Sequence, residues 1–214
     1  MPVPELPNRL SKEYINSLPL IRYEGSIKII EDNRELDTFL SRIPDGTITG
    51  FDTETRPVFR RGQNRLPALV QIALPETVLL IKLKPPGLPA ALIEFFERES
   101  VKKTGIGLRT DIEKLQNITP FTARGFIDLS EIAAPKGIIQ TGVRALAARY
   151  LQGRVSKTEQ KSNWERKNLT DKQKNYAATD AWACALIYHE ILNDERDYHD
   201  QPPLDDSSEE FTSI

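Results

Sequence analysis

The stretch Gly50-Phe51-Asp52-Thr53-Glu54-Thr55 closes an apolar run whose composition predicts a strand over 47–53. Side chains alternate along a strand, so Asp52 and Glu54 point to one face and could offer oxygen ligands to one cation. Alone, the pair fits ordinary strand-end acids equally well. A second candidate is Gly105-Ile106-Gly107-Leu108-Arg109-Thr110-Asp111, where two glycines let a strand turn closely into a helix that presents Asp111 in its first turns. Favourable placement of an acid at a helix N-terminus accounts for it as well. The third is Tyr176-Ala177-Ala178-Thr179-Asp180, whose i to i+4 spacing sets a phenol and a carboxylate one turn apart on one helix face. Asp180 stands among small apolar residues, where an acid is costly unless it is paired or binds metal, and helix propensity does not explain it. The competing arrangement turns Asp180 to solvent and Tyr176 into the core.

The elements that must carry these residues follow from periodicity. Strands are predicted over 26–30, 47–53, 69–74, 78–83, 101–106 and 125–129. Helices are predicted over 33–43, 88–98, 108–116, 143–151 and 171–192, the last opened by a T-x-x-Q capping box of Thr170 and Gln173. Strands come early, helices late, and some helices lie between strands, which points to a mixed sheet flanked by helices in a single α/β domain. Residues 1–25 carry Pro2, Pro4, Pro7 and Pro19 without sustained periodicity and are expected to form an arm packed on the surface.

The chain has 214 residues with 29 Lys and Arg against 31 Asp and Glu, a formal charge of −2. That total conceals an asymmetry. Residues 193–214 hold eight acids and one base, −7, which leaves the rest at +5. The tail is poor in large apolar groups and is expected to be disordered. With Cys184 as the single cysteine, an intrachain disulfide and a cysteine-rich zinc site are excluded, and a reducing cytoplasm is the expected compartment. No stretch is long and apolar enough to span a bilayer, and the first residues lack the layout of a secretory signal. His189 and His199 are expected to be exposed.

Taken in order, the three acidic stretches resemble the motifs of the DEDDy branch of the DnaQ-like, ribonuclease D-type 3′-5′ exonucleases, and the Werner-type members most. Flanking agreement lies in Pro67-Ala68-Leu69-Val70-Gln71-Ile72-Ala73, in Ser162-Asn163-Trp164 and in Leu169-Thr170, so the likeness covers about 26–192. It implies a ribonuclease H-like fold and a 3′-5′ exonuclease with Asp52, Glu54, Asp111, Tyr176 and Asp180 as site residues. By the same resemblance, Asp52 bridges two metal ions, Glu54 and Asp180 hold the ion that carries the attacking water, Asp111 supports the second, and Tyr176 orients the water. Four converging carboxylates need cations to offset their repulsion, and all-oxygen donors favour Mg²⁺ or Mn²⁺, two per site.

Two basic clusters flank the motifs. Arg56, Arg60, Arg61 and Arg65 surround Phe59, and Arg154, Lys157, Lys161, Arg166, Lys167, Lys172 and Lys174 surround Trp164. Cations interleaved with aromatics can hold a single strand and stack its bases, although solvated loops share that composition. Thr53, Arg60, Arg61, Leu108, Lys161, Trp164 and Arg166 are the candidate contacts to a nucleic-acid 3′ end, single-stranded or recessed. The Werner-type likeness, and the short segment after the last helix, favour DNA over RNA. Two competing classes are a catalytically silent binding module on the same fold and a phosphatase on another α/β fold. The intact motif residues argue against the first, and the pairing of Tyr176 with Asp180 against the second.

Overall fold

A computed structural model describes residues 6–56 and 65–199. Its centre is a six-stranded mixed sheet in the order β1-β4-β3-β2-β5-β6. The strands are β1 (Ser26–Ile30), β2 (Ile48–Glu54), β3 (Leu69–Ala73), β4 (Thr77–Lys82), β5 (Lys102–Gly105) and β6 (Phe126–Asp128). The β2-β3-β4 meander is antiparallel, and β1, β5 and β6 join in parallel.

Alternation divides the meander between two layers. Phe51, Val70, Ile72, Leu79 and Ile81 face one core, closed by α2 (Asn33–Leu40), α3 (Ala90–Glu97) and α4 (Leu108–Gln116). Leu69, Ala73, Val78 and Leu80 face the other, covered by α7 (Asp171–Leu192). The helices α5 (Leu129–Ala133) and α6 (Val143–Tyr150) pack on the far side of α7. The predicted capping box is present: the Thr170 hydroxyl accepts the Gln173 amide, and the Gln173 side chain accepts the Thr170 amide. Gln173 also donates to the Ser162 hydroxyl at 2.8 Å and to the Asn163 carbonyl at 3.2 Å, fastening the preceding connector to the start of α7.

The N-terminal arm carries a helix that was not expected from its sequence. Residues 12–17 form a short helix, α1, capped by the Ser11 hydroxyl, and Leu6, Leu10 and Ile15 are buried against Ala145 and Ala148 of α6. Fully buried Arg149 donates to the carbonyls of Leu6 and Pro7 and stacks on Tyr198. The chain after Leu192 departs from the tail expectation as well. Asn193 to His199 is ordered, with Asp194 and Tyr198 buried, whereas the rest of the tail lies outside the described residues. His189 and His199 are exposed, as expected. Among the described residues, no helix is long and apolar enough to cross a membrane.

Candidate active site

Gly50, Asp52 and Glu54 share the β2 face that α7 covers. The helix comes close because position 50 lacks a side chain: a Cβ there would lie 1.8 Å from the Ala181 carbonyl oxygen. Ala177, Ala178 and Ala181 are buried and add no bulk between helix and sheet. Asp180, next to Ala181, is thereby delivered to Asp52 and Glu54, and carboxylate oxygens of the three lie within 4.8 Å of one another.

Asp111 arrives from α4 by a different device. The helix starts after Gly107, which adopts a left-handed φ of 71° that favours glycine and offers no capping side chain. Asp128 serves instead, accepting the Leu108 amide at 2.9 Å with one oxygen and the Ser130 amide at 2.9 Å with the other. One carboxylate thus caps both α4 and α5. Thr53 joins the two sides of the cleft: its hydroxyl donates to Asp111 at 2.7 Å and its amide to Asp52 at 2.9 Å.

The electrostatics are those of a site lacking positive charge. Burial, then the nearby charges of Asp180 and Asp111, hold the Asp52 carboxyl well above the usual carboxylate range, against one favourable bond from the Thr53 amide. Burial, then the Asp52, Asp180 and Asp111 charges, push Glu54 up to about 10. Asp180 is raised to about 7 by burial, moderated by the bond that the Tyr176 hydroxyl donates to it. Asp111 is raised by burial, with Thr53 and Lys114 opposing. The Tyr176 phenol is pushed above its ordinary range by burial and by the Asp180 and Glu54 charges, so it is a neutral hydrogen-bond donor near neutral pH. Like charges this close persist as anions only where cations offset them. All-oxygen donors, without Cys or His in the cluster, suit a hard divalent ion.

The candidate strand contacts divide. Lys161 and Arg166 are exposed on the connector before α7. Arg60 and Arg61 lie outside the described residues. Trp164 is a correction: it is 0% exposed, packed under Tyr176 with ring centroids 6.0 Å apart, and has no face for a base. Leu108 is buried in the α4 core, and Thr53 is buried between the acids, so neither presents open surface. The two basic clusters meet at Glu165, which accepts from Arg56 at 2.9 Å and Arg65 at 3.2 Å.

Sequence reasoning missed Asp128 and Gln71. Asp128 pairs with Gly105 across two parallel strands, a relation that no local pattern reveals. Gln71 stands directly opposite Asp52 in the sheet register, fully buried, with both amide atoms unpartnered among the described residues. Its signal was a polar residue within the apolar run Leu69-Val70-Gln71-Ile72-Ala73.

A mixed sheet with a carboxylate-lined cleft between its central strand and a covering helix defines the class: a nuclease-type α/β domain with an acidic, metal-compatible site. The family model described as 3′-5′ exonuclease matches residues 27–195. The chain therefore belongs to the 3′-5′ exonuclease family, hydrolases that act on nucleic acid. It is 30% identical over 193 residues to the mouse bifunctional 3′-5′ exonuclease/ATP-dependent helicase WRN, covering 83% of this chain and 13% of that protein. It is 29% identical over 203 residues to an Arabidopsis thaliana 3′-5′ exonuclease, covering 86% and 69%. Against the human exonuclease mut-7 homolog the chain covers only 20% of the relative's length. Among solved structures, the Nibbler exonuclease domain of Aedes aegypti superposes with a TM-score of 0.69 at 22% identity, covering 86% of this chain and 90% of that one. Escherichia coli RNase D gives 0.71 at 22% identity, covering 78% and 44%. These neighbours support the ribonuclease H-like fold.

Proposed function

We propose that the protein shortens a nucleic-acid strand from its 3′ end by hydrolysing the terminal phosphodiester with two divalent ions, Mg²⁺ or Mn²⁺. The observation that carries this reading is the convergence of Asp52, Glu54 and Asp180 oxygens within 4.8 Å, beside Asp111, on the shared frame of the exonuclease family. Asp52, Glu54 and Asp180 would hold one ion, and Asp52 with Asp111 the other. Bound, the ions would supply Lewis-acid stabilisation of the charge that develops on the attacking and leaving oxygens.

The chain's own groups do the positioning. Tyr176, neutral and donating to Asp180, would hydrogen-bond and orient the attacking water, but a phenol pushed above its ordinary range is not the base. Thr53 keeps Asp52 and Asp111 in register with each other. Exposed Lys161 and Arg166 supply phosphate contacts outside the cleft. A single strand or a recessed 3′ end is the partner, and DNA is preferred, on the sequence likeness to the Werner-type relative. The buried thiol of Cys184 suits a reducing compartment such as the cytoplasm.

The test is digestion of 5′-labelled single-stranded, recessed and RNA substrates with Mg²⁺ or Mn²⁺. The expected result is a ladder shortened from the 3′ end, strongest on DNA and absent with chelator. A mobility shift without a ladder would support the silent binding module instead.

A further inference from the structure

A cavity of about 700 Å³ lies at the β1 edge beside α2 and α3 and contains none of the motif residues. The cavity that does adjoin them is smaller, about 150 Å³, and one of its walls comes from the N-terminal arm, which precedes the family match at residue 27. Tyr176 and Asp180 form the inner wall. Around it stand Arg22 of the arm, Ser156 and Thr158 of the connector after α6, and Lys172 and Asn175 of α7. Lys172, Asn175, Tyr176 and Thr179 fall at i, i+3, i+4 and i+7, one face of one helix, and that face is the one the arm meets.

The arm is fixed there. The Tyr23 amide donates to the Thr179 hydroxyl at 3.0 Å, and the Ile21 amide to the Arg154 carbonyl at 3.0 Å. In return the Arg154 amide donates to the Pro19 carbonyl at 2.9 Å and its guanidinium to the Leu18 carbonyl at 3.0 Å. The charges are available. Among the described residues Arg22 pairs with Glu24, at 3.5 Å with both side chains exposed, an ion pair of little strength. Lys172 has no ion-pair partner among the described residues, since Asp171 is taken by Lys174. The Ser156 and Thr158 hydroxyls bond each other at 2.9 Å, which leaves one of their two protons to donate outward, and the Asn175 amide adds further neutral donors.

We infer that this cavity is a phosphate subsite, in which Arg22 and Lys172, with the Ser156 and Thr158 hydroxyls and the Asn175 amide, hold a phosphate group beside Tyr176 and Asp180. The inference rests on the exonuclease reading above. The phosphate has two possible sources: a phosphodiester of the bound strand or the phosphate of a released nucleoside monophosphate. Either way, the arm adds to the site a contact that the motif core does not contain.

The experiment uses the full chain, the double variant R22A/K172A, and a control, K12A/R34A, which removes equal charge from α1 and α2, outside this cavity. Binding of a labelled oligothymidylate is followed against salt with chelator present, so that it does not depend on hydrolysis. KM, kcat and inhibition by thymidine monophosphate and by thymidine are then measured with Mg²⁺. If the cavity holds a strand phosphate, R22A/K172A flattens the log–log salt slope by about 0.7 to 1.4 and raises KM about tenfold, with a smaller change in kcat. If it holds the product, the slope and KM stay with the control while thymidine monophosphate inhibits about tenfold less and thymidine is unaffected. The charge-preserving variant R22K/K172R recovers most of either effect. R22A/K172A indistinguishable from the control in slope, KM and inhibition would overturn the subsite. Absence of digestion by the wild-type chain would instead defeat the exonuclease reading, while the salt slope would still decide the cavity's role.

Discussion

Asp52 and Asp194 are both withdrawn from water, yet their surroundings push them in opposite directions. Around Asp52 stand three more acids, and burial with the Asp180 and Asp111 charges holds its carboxyl well above the usual range. Burial also raises Asp194, but there it is outweighed by hydrogen bonds from Arg196, Tyr198 and Tyr150, at 2.6, 2.8 and 2.9 Å for the side-chain donors, and the carboxyl ends below its ordinary value. The Asp194 latch is a satisfied network that ties the segment after α7 to α6, and its work is stability. The Asp52 cluster is left short of positive charge, and a protein tolerates such a cluster where a cation completes it.

The contrast can be broken by substitution, beginning with the largest effect. Asp52→Asn should lower hydrolysis of a labelled strand by more than about a thousandfold, because several kcal/mol of charge stabilisation leave with the ligand, while the metal-free fold becomes no less stable. Asp194→Ala should do the reverse. It removes the acceptor of two buried phenols and should cost roughly 2–4 kcal/mol in urea denaturation, with turnover per folded molecule retained. Comparable activity loss in both variants would erase the distinction.

Gly50→Ala tests how the cluster is assembled. A methyl group aimed at the Ala181 carbonyl should cost about 1–3 kcal/mol and, by shifting Asp180, lower turnover by up to about a hundredfold. Tyr176→Phe should be milder, a loss of about ten- to hundredfold in kcat, with its pH profile unshifted because the phenol stays protonated throughout. A profile that loses its alkaline limb on Tyr176→Phe would mean that the phenol titrates.

The parts legible in the sequence were those encoded locally. Period-two alternation put Asp52 and Glu54 together, and the Thr170–Gln173 box marked the start of α7. What joined distant segments was not legible. Asp128 caps α4 only because β5 and β6 lie parallel, and Gly50 matters only because α7 crosses it. From sequence Trp164 admitted both a stacking role among basic residues and a buried, loop-anchoring one, the commoner for tryptophan; its ring is buried under Tyr176, while Lys161, Arg166 and Lys167 stay exposed. Which surface the arm packs on was not legible, because its place depends on Arg149, more than a hundred residues away, donating to two of its carbonyls.

That cations offset the charge of the acids is tested most directly by the melting temperature of the chain against pH, with and without Mn²⁺. In raised carboxyls the neutral form favours folding, so their contribution is present below the ordinary carboxylate pKa and is lost as pH rises, through about 7 for Asp180 and towards about 10 for Glu54. The Asp194 latch has the opposite sign and weakens only as pH falls below the ordinary range near 3.8. The metal-free protein should therefore lose several degrees between pH 5 and 8. Mn²⁺ should restore them, more at pH 8 than at pH 5, in the wild type and not in Asp52→Asn. Equal Mn²⁺ shifts in the two proteins, or a metal-free melting temperature that rises steadily to pH 8, would contradict the account.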